Sequence, residues 1–310
     1  MQVSPIALFV YNRPEHTRQT VHVLQDNHLA GECELFIFSD APKDGAAEEK
    51  VSMVREYLKT VKGFRKITVI KRDRNLGLSR SIITGVTELI AQYGSVIVLE
   101  DDMLTSRYFL DFINNALDLY KEEEGVASVS GFCYPIPVKS TYFIKGAEMW
   151  GWGTWKRAWD LFEPDANKLL KELKSRKLTY RFDMNGTVAC AQTLKDQIDG
   201  IVSSWGIRWC ASAFLAGKLN LYPPKTLIKN IGRDGSGTHV GISKLEEPDL
   251  DNEPIYFSKI DVKESEFALR LLVDYFYKKR GRSFMIRQLA NKLLPKNVRV
   301  FIKKIARKFL

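Results

Sequence analysis

No run of eighteen consecutive apolar residues occurs in the 310-residue sequence, so no segment reads as a helix spanning a bilayer. Cysteine is sparse. Cys33, Cys133, Cys190 and Cys210 lie far apart and form no CxxC pair, which argues against zinc binding and a disulfide framework and makes a reducing cytoplasm the expected home. Near the N-terminus the only apolar run is Ile6 to Tyr11, with no basic stretch before it and Asn12-Arg13-Pro14 directly after. That pattern reads as a first strand and not as a signal peptide. Acidic residues are missing from one region: Tyr275 to Leu310 contains no Asp or Glu but twelve Lys and Arg. Without those twelve, the net charge of +10 becomes 35 basic against 37 acidic residues. The excess therefore belongs to the tail, which implies a local anionic partner; nucleic acid along the body is not expected. Internal repeats and low-complexity segments are absent as well.

What is present is enough apolar sequence, 45%, for one large α/β domain with an extension, or for two small domains. Short apolar runs at 6–11, 34–39, 66–70 and 95–99 alternate with helix-like stretches at 15–26, 46–60 and 78–93. That order implies a parallel sheet flanked by helices. Ligands in such sheets bind beyond the carboxyl ends of the strands, which makes Arg13, Asp40 and Glu100-Asp101-Asp102 neighbours. The second half is less regular. Helices are expected at 108–121, through much of 163–198, and at 205–216, and strands at 127–132 and 219–222. Met149-Trp150-Gly151-Trp152-Gly153-Thr154-Trp155 reads as irregular. The expected division is 1–245 as the main domain (nucleotide half 1–105, acceptor half 106–245), 246–280 as linker and helical extension, and 281–310 as a basic tail.

Three consecutive carboxylates after a buried strand repel one another unless a cation shares them. A hard divalent ion such as Mn²⁺ or Mg²⁺ takes oxygen ligands, and a nucleotide diphosphate supplies more of them. Asp102 is the first choice as ligand, with Asp101 on ribose or metal-bound water and Glu100 orienting its neighbours. The alternative is a set of acids favouring the dipole of the helix that follows. Asp40 suits a base imide or ribose hydroxyl, or else a plain turn before Pro42. Arg13 and Arg80 suit the nucleotide, or else the surface. Asn75 to Arg80 opens a helix, a place that attracts anions, although capping by Asn75 explains the segment equally well. Trp152 is the chosen sugar-contacting ring, with a packed core tryptophan as the alternative. His239, in the glycine-rich loop 232–239, could reach a metal, although a lone histidine is more often structural.

With these residues in place, the chain resembles GT-A glycosyltransferases over roughly residues 3–243. It is most similar to the group of the alpha-1,3-mannosyl N-acetylglucosaminyltransferase I and bacterial surface-polysaccharide transferases. The likeness rests on Asn12-Arg13-Pro14, Val98-Leu99-Glu100-Asp101-Asp102, Gly151-Trp152-Gly153-Thr154-Trp155 and Thr238-His239-Val240-Gly241, in that order. The resemblance implies a Rossmann-like, mostly parallel sheet and a hexosyltransferase moving sugar from a nucleoside-diphosphate donor, UDP-linked, to a surface-glycan or lipid-linked acceptor. Asp102 and His239 would hold Mn²⁺ or Mg²⁺. Inverting members carry a catalytic Asp near a tryptophan-rich helix, where this sequence reads Ser203-Ser204-Trp205-Gly206-Ile207-Arg208-Trp209, with no carboxylate. Glu148, Asp199 and Asp196 are the nearby candidates for the base that inversion requires, and Arg208 the candidate for diphosphate or an anionic acceptor. The rivals are a nucleotidyltransferase and a catalytically weakened nucleotide-sugar or membrane-binding module.

In the tail, Val298, Phe301, Ile302, Ile305 and Phe309 share one helical face, with Arg299, Lys303, Lys304, Arg307 and Lys308 largely off it. Such a helix suits an anionic lipid interface, each basic residue contributing on the order of 1 kcal/mol. The expectation is peripheral attachment of residues 281–310 to the inner face of the cell membrane. Docking onto the body or RNA binding are the alternatives.

Overall fold

The computed structural model describes residues 3–234, 250, 252–293 and 298. The first half runs β1 (Ile6–Val10), α1 (Pro14–Gln25), β2 (Glu34–Ser39), α2 (Gly45–Leu58), β3 (Lys66–Lys71), α3 (Leu78–Tyr93) and β4 (Ser95–Glu100). Each of the four strands falls on an apolar run; β1, β2 and β4 are buried because helices cover both faces, whereas edge strand β3 is half-buried. The alternation of side chains then splits each run between two cores. Ile6, Leu8, Leu35, Ile37, Ile97 and Leu99 enter one core, and Ala7, Phe9, Phe36, Phe38, Val96 and Val98 the other. Pro14 at the start of α1 sets the helical φ and lacks the N–H that would be unpaired there.

The second half continues with β5 (Met103–Thr105), α4 (Phe109–Leu119), β6 (Val126–Ser130), β7 (Tyr142–Lys145), β8 (Trp152–Trp155), α5 (Lys156–Trp159), α6 (Ala166–Ser175), α7 (Thr179–Phe182), α8 (Cys190–Ile198), α9 (Trp205–Leu215), β9 (Leu219–Tyr222), β10 (Ile228–Asn230) and α10 (Glu266–Leu293). Among the described residues the main sheet has eight strands in the order β3-β2-β1-β4-β8-β6-β9-β7. It is mostly parallel, as expected, with β8 and β7 antiparallel to their neighbours. β5 and β10 pair separately as an antiparallel two-strand ribbon.

Three elements depart from the sequence reading. Trp152 to Trp155, expected to be irregular, is strand β8 in the middle of the sheet. Its Gly153 leaves room for Ile113 and Leu117 of α4, which a β-carbon would meet at 2.9 and 3.0 Å. β5 follows the acidic run directly, so those carboxylates cap no helix; α4 begins only at Phe109. α3 takes Gly77, not Asn75, as its N-cap. The segment leading to α10 packs back on the body: Ser265 N–H donates to Phe143 O (2.9 Å), and Ile260 N–H to the Tyr120 hydroxyl (2.9 Å). Ala268, Leu272 and Phe276 of α10 then pack with Tyr142 and Ile144 of edge strand β7. Among the described residues no helix is long and apolar enough to cross a membrane.

Candidate active site

Parallel pairing brings the carboxyl ends of β1, β2 and β4 to one edge, with Val10 beside Ser39 and Phe9 beside Glu100. The loops that leave those ends line a cavity of about 690 Å³. Its walls include Tyr11 to Arg13, Asp40, Asn75 to Ser81, Glu100 and Asp101, and from α9 and the residues before it Arg208 and Ser203.

The acidic run is organised around Arg13. Its Nη2 donates to Asp101 Oδ1 and lies 2.9 Å from Asp102 Oδ2. Burial works to lower the Arg13 pKa, but the charges of Asp101 and Asp102 outweigh it and hold it above its ordinary value. Burial in turn raises the Asp101 pKa despite the opposing guanidinium. Glu100, with the charges of Asp102 and Asp101 added to its desolvation, is pushed up to about 8. One guanidinium therefore does not fully offset the acidic run around it. Two buried polar atoms here also have no partner among the described residues, Asp102 Oδ1 and Arg13 Nη1.

The ribbon covers this cluster from the C-terminal side. Ile231 N–H donates to Asp102 O (2.8 Å). Gly232 lies so close that a β-carbon there would overlap the Asp102 carboxylate and come within 3.0 Å of Arg13 Nη1. The Arg233 guanidinium sits 4.8 Å from the Trp150 ring, and the Asp234 carboxylate 3.2 Å from His16 Nε2.

Asp40 lines the cavity and also holds backbone donors. Its Oδ1 accepts from Ala41 N–H and Leu76 N–H (both 2.9 Å), and its Oδ2 from Gly77 N–H (2.9 Å). Asn75 Nδ2 adds a bond to Ala41 O at 2.7 Å. Asp40 thus ties the β3–α3 loop to the end of β2 and shapes the cavity wall. Arg55, which sequence reading passed over, braces the same strand ends through the carbonyls of Asp40 (3.3 Å) and Arg72 (2.8 Å).

Residues 6–158 match the family model of Glycosyl transferase family 2. None of the curated proteins matches. Among solved structures, the Pyrobaculum calidifontis mannosyltransferase PcManGT, in complex with GDP-Man and Mn²⁺, is 18% identical with a TM-score of 0.33. That alignment covers 43% of this chain and 36% of that one. S. aureus TarS 1-349 is 11% identical with a TM-score of 0.43, covering 74% of this chain and 61% of that one. The chain therefore spans less than two thirds of the length of either of these solved structures.

Within the matched segment, Arg13, Asp40, Glu100 and Asp101 lie together at the cavity, Arg80 lines it as well, and Asp102 sits beside Asp101 under Gly232. Trp152 does not belong to the site. It is fully buried on central strand β8 and stacks on Trp205 (centroids 5.5 Å apart, 24° between planes), with Trp159 and Trp209 around it. No ring face is left for a sugar. Trp150, two residues earlier and outside the strand, is the partly exposed ring that carries Arg233. Glu148 is partly exposed and accepts from Met149 N–H (3.0 Å) and from the Tyr134 hydroxyl; burial raises its pKa. Met149 in turn packs on Gly206 at the start of α9. Neither Glu148 nor Asp199, which ends α8, lines the cavity. Arg208, beyond the matched segment, does. His239 lies outside the described residues.

The residues present suit a divalent cation. Among the described residues no set of three or more His, Cys, Asp and Glu converges on one point, so the protein alone offers no closed cage. A hard cation that keeps water and phosphate oxygens needs only one or two carboxylates. Asp102 keeps one buried carboxylate oxygen without a partner, the kind of oxygen such a cation takes.

Proposed function

We propose that this chain is a metal-dependent glycosyltransferase that moves a sugar from a nucleoside-diphosphate donor, UDP-linked, to a surface-glycan or lipid-linked acceptor. One observation carries the reading. The acidic run at the end of β4 leaves a buried Asp102 oxygen without a partner, next to a cavity large enough for a nucleotide and lined by cations. Ligand pockets of this kind fall in the range of roughly 300–1,000 Å³.

In this reading Asp102 is the Mn²⁺ or Mg²⁺ ligand, with His239 joining it as the resemblance implies. When bound, the metal would neutralise charge on the departing diphosphate. The nucleoside occupies the β1–β2 side, within the wall that Asp40 fixes. The acceptor hydroxyl approaches from the side of Trp150 and the start of α9. Its oxygen bonds to the anomeric carbon, its proton passes to a base, and the bond from that carbon to the terminal phosphate oxygen breaks, with inversion. Glu148, Asp199 and Asp196 are the candidates for that base, Glu148 first because it directly precedes the Trp/Gly segment and its neighbour Met149 abuts α9. The basic tail would hold the chain on an anionic membrane, where a lipid-linked acceptor resides.

The test is a thermal-shift screen of nucleotide-sugars with and without Mn²⁺. A donor-specific stabilisation that requires Mn²⁺ and is lost in Asp102→Ala is expected. A wild-type chain stabilised by no nucleotide-sugar would refute the proposal. The absence of a carboxylate between Ser203 and Trp209 favours a second reading, a nucleotide-sugar binding module without turnover. Binding of donor with no sugar transfer over an acceptor panel would select it.

A further inference from the structure

The cation that enters the cavity from the second half of the chain is unlike the others. Arg208 projects from the first turn of α9, and three of its N–H groups are committed to protein oxygens. Nε donates to Ser204 O (3.1 Å), Nη1 to Pro164 O (3.2 Å) and Nη2 to Ser79 Oγ (2.6 Å). Phe162 supports the guanidinium from 5.8 Å. An arginine has five N–H donors, so one remains on each Nη. Those two N–H groups remain for an anion, and phosphate oxygens are the acceptors a guanidinium takes most strongly.

No carboxylate among the described residues pairs with this charge. Burial lowers the Arg208 pKa with nothing acting against it, whereas the acids around Arg13 and Arg157 oppose the same effect. A partly buried charge without a counter-ion is costly. The acids of the cavity do not serve it, since Asp40 is occupied by backbone N–H groups and Asp101 by Arg13. Arg80 and Lys43 add further positive charge to the same walls.

We infer that Arg208 binds the diphosphate of the donor, so that the second half of the chain reads the anionic part of a ligand whose nucleoside is held by the first half. The inference rests on the glycosyltransferase reading and adds to it a residue outside the segment 6–158. It also explains the bond to Ser79. Ser79 belongs to the first turn of α3, whose N-terminus is tied to Asp40, so that a neutral hydroxyl holds the guanidinium at the cavity without quenching its charge.

The experiment is isothermal titration of the full chain, with and without Mn²⁺, using UDP, GDP, ADP and CDP and their parent nucleosides. For the nucleotide that wild type binds, Arg208→Gln should weaken the diphosphate by on the order of tenfold to a hundredfold. The matching nucleoside should change by less than about twofold, because its contacts do not involve a charge-assisted bond. Arg208→Lys keeps the charge but not the guanidinium, and should lose about tenfold on the diphosphate alone. It also carries the comparison if Arg208→Gln does not fold. Equal losses for diphosphate and nucleoside would make Arg208 a strut between α9 and α3 and overturn the inference, as would unchanged affinity for both. A wild-type chain that binds none of the four diphosphates removes the glycosyltransferase reading itself, a result distinct from failure of the Arg208 variants.

Discussion

At the scale of single residues, the site is a balance between charges that burial would otherwise suppress. Glu100 is the clearest case, with its pKa pushed up to about 8 by burial and by the charges of Asp102 and Asp101. The folded chain keeps a proton there that the unfolded chain releases above its ordinary value of 4.5. The stability this group contributes is therefore complete below about 4.5 and is lost as pH rises through about 8. Calorimetric melting temperatures should fall between pH 5 and pH 9 more steeply in wild type than in Glu100→Gln, and parallel curves would contradict this. Asp40 makes the opposite kind of prediction. It holds backbone N–H groups of Ala41, Leu76 and Gly77, so Asp40→Ala leaves buried donors unpaired. A loss of about 2–3 kcal/mol in urea denaturation without any ligand is expected. A residue that served only the nucleotide would leave the unliganded stability unchanged.

Among elements, the β5–β10 ribbon decides how closely the C-terminal half approaches the acids. Register places Asn230 beside Met103, and the turn that follows lays Gly232 on Asp102 where no side chain fits. Gly232→Ala should displace the Asp102–Arg13 pair and weaken Mn²⁺-dependent nucleotide binding by roughly tenfold or more, with a modest cost in stability of about 1–3 kcal/mol. Parallel titrations and melting curves on the variant check this; nucleotide affinity equal to wild type would show that the close approach has no functional weight. The same scale explains Trp152. A glycine and tryptophan cluster invites a sugar-binding reading, yet pairing with β4 and β6 turns the segment into a central strand. Its ring joins Trp159, Trp205 and Trp209 in the core, where aromatic burial contributes most.

For the whole molecule, charge is divided between a near-neutral body and a basic C-terminus. α10 continues to Leu293, and its first turns pack on β7. Removing Phe284 to Leu310 should abolish sedimentation with vesicles containing anionic lipid and leave the nucleotide affinity of the body within about twofold. Binding to anionic vesicles should also weaken as salt rises, because exposed charges are screened. Sedimentation that persists without the tail would place the membrane contact elsewhere.

The four parallel strands and their helices were legible in the sequence, since burial on both faces demands continuous apolar runs and these are visible without any partner. The same runs fixed which acids and which arginine stand at strand ends, and so brought Arg13, Asp40 and Glu100 to Asp102 together. Patterning alone hid the short strands β5, β7 and β10, the central place of Trp152, and the bonds that commit Asp40 to a loop. Each of these depends on partners distant in sequence: a three- or four-residue strand is defined by what it pairs with, and a carboxylate by the donors that reach it. Residue order therefore determined which chemical groups meet at the edge of the sheet. Only tertiary packing decided which of them are already satisfied by the protein and which still present an open oxygen or an uncompensated charge to a ligand.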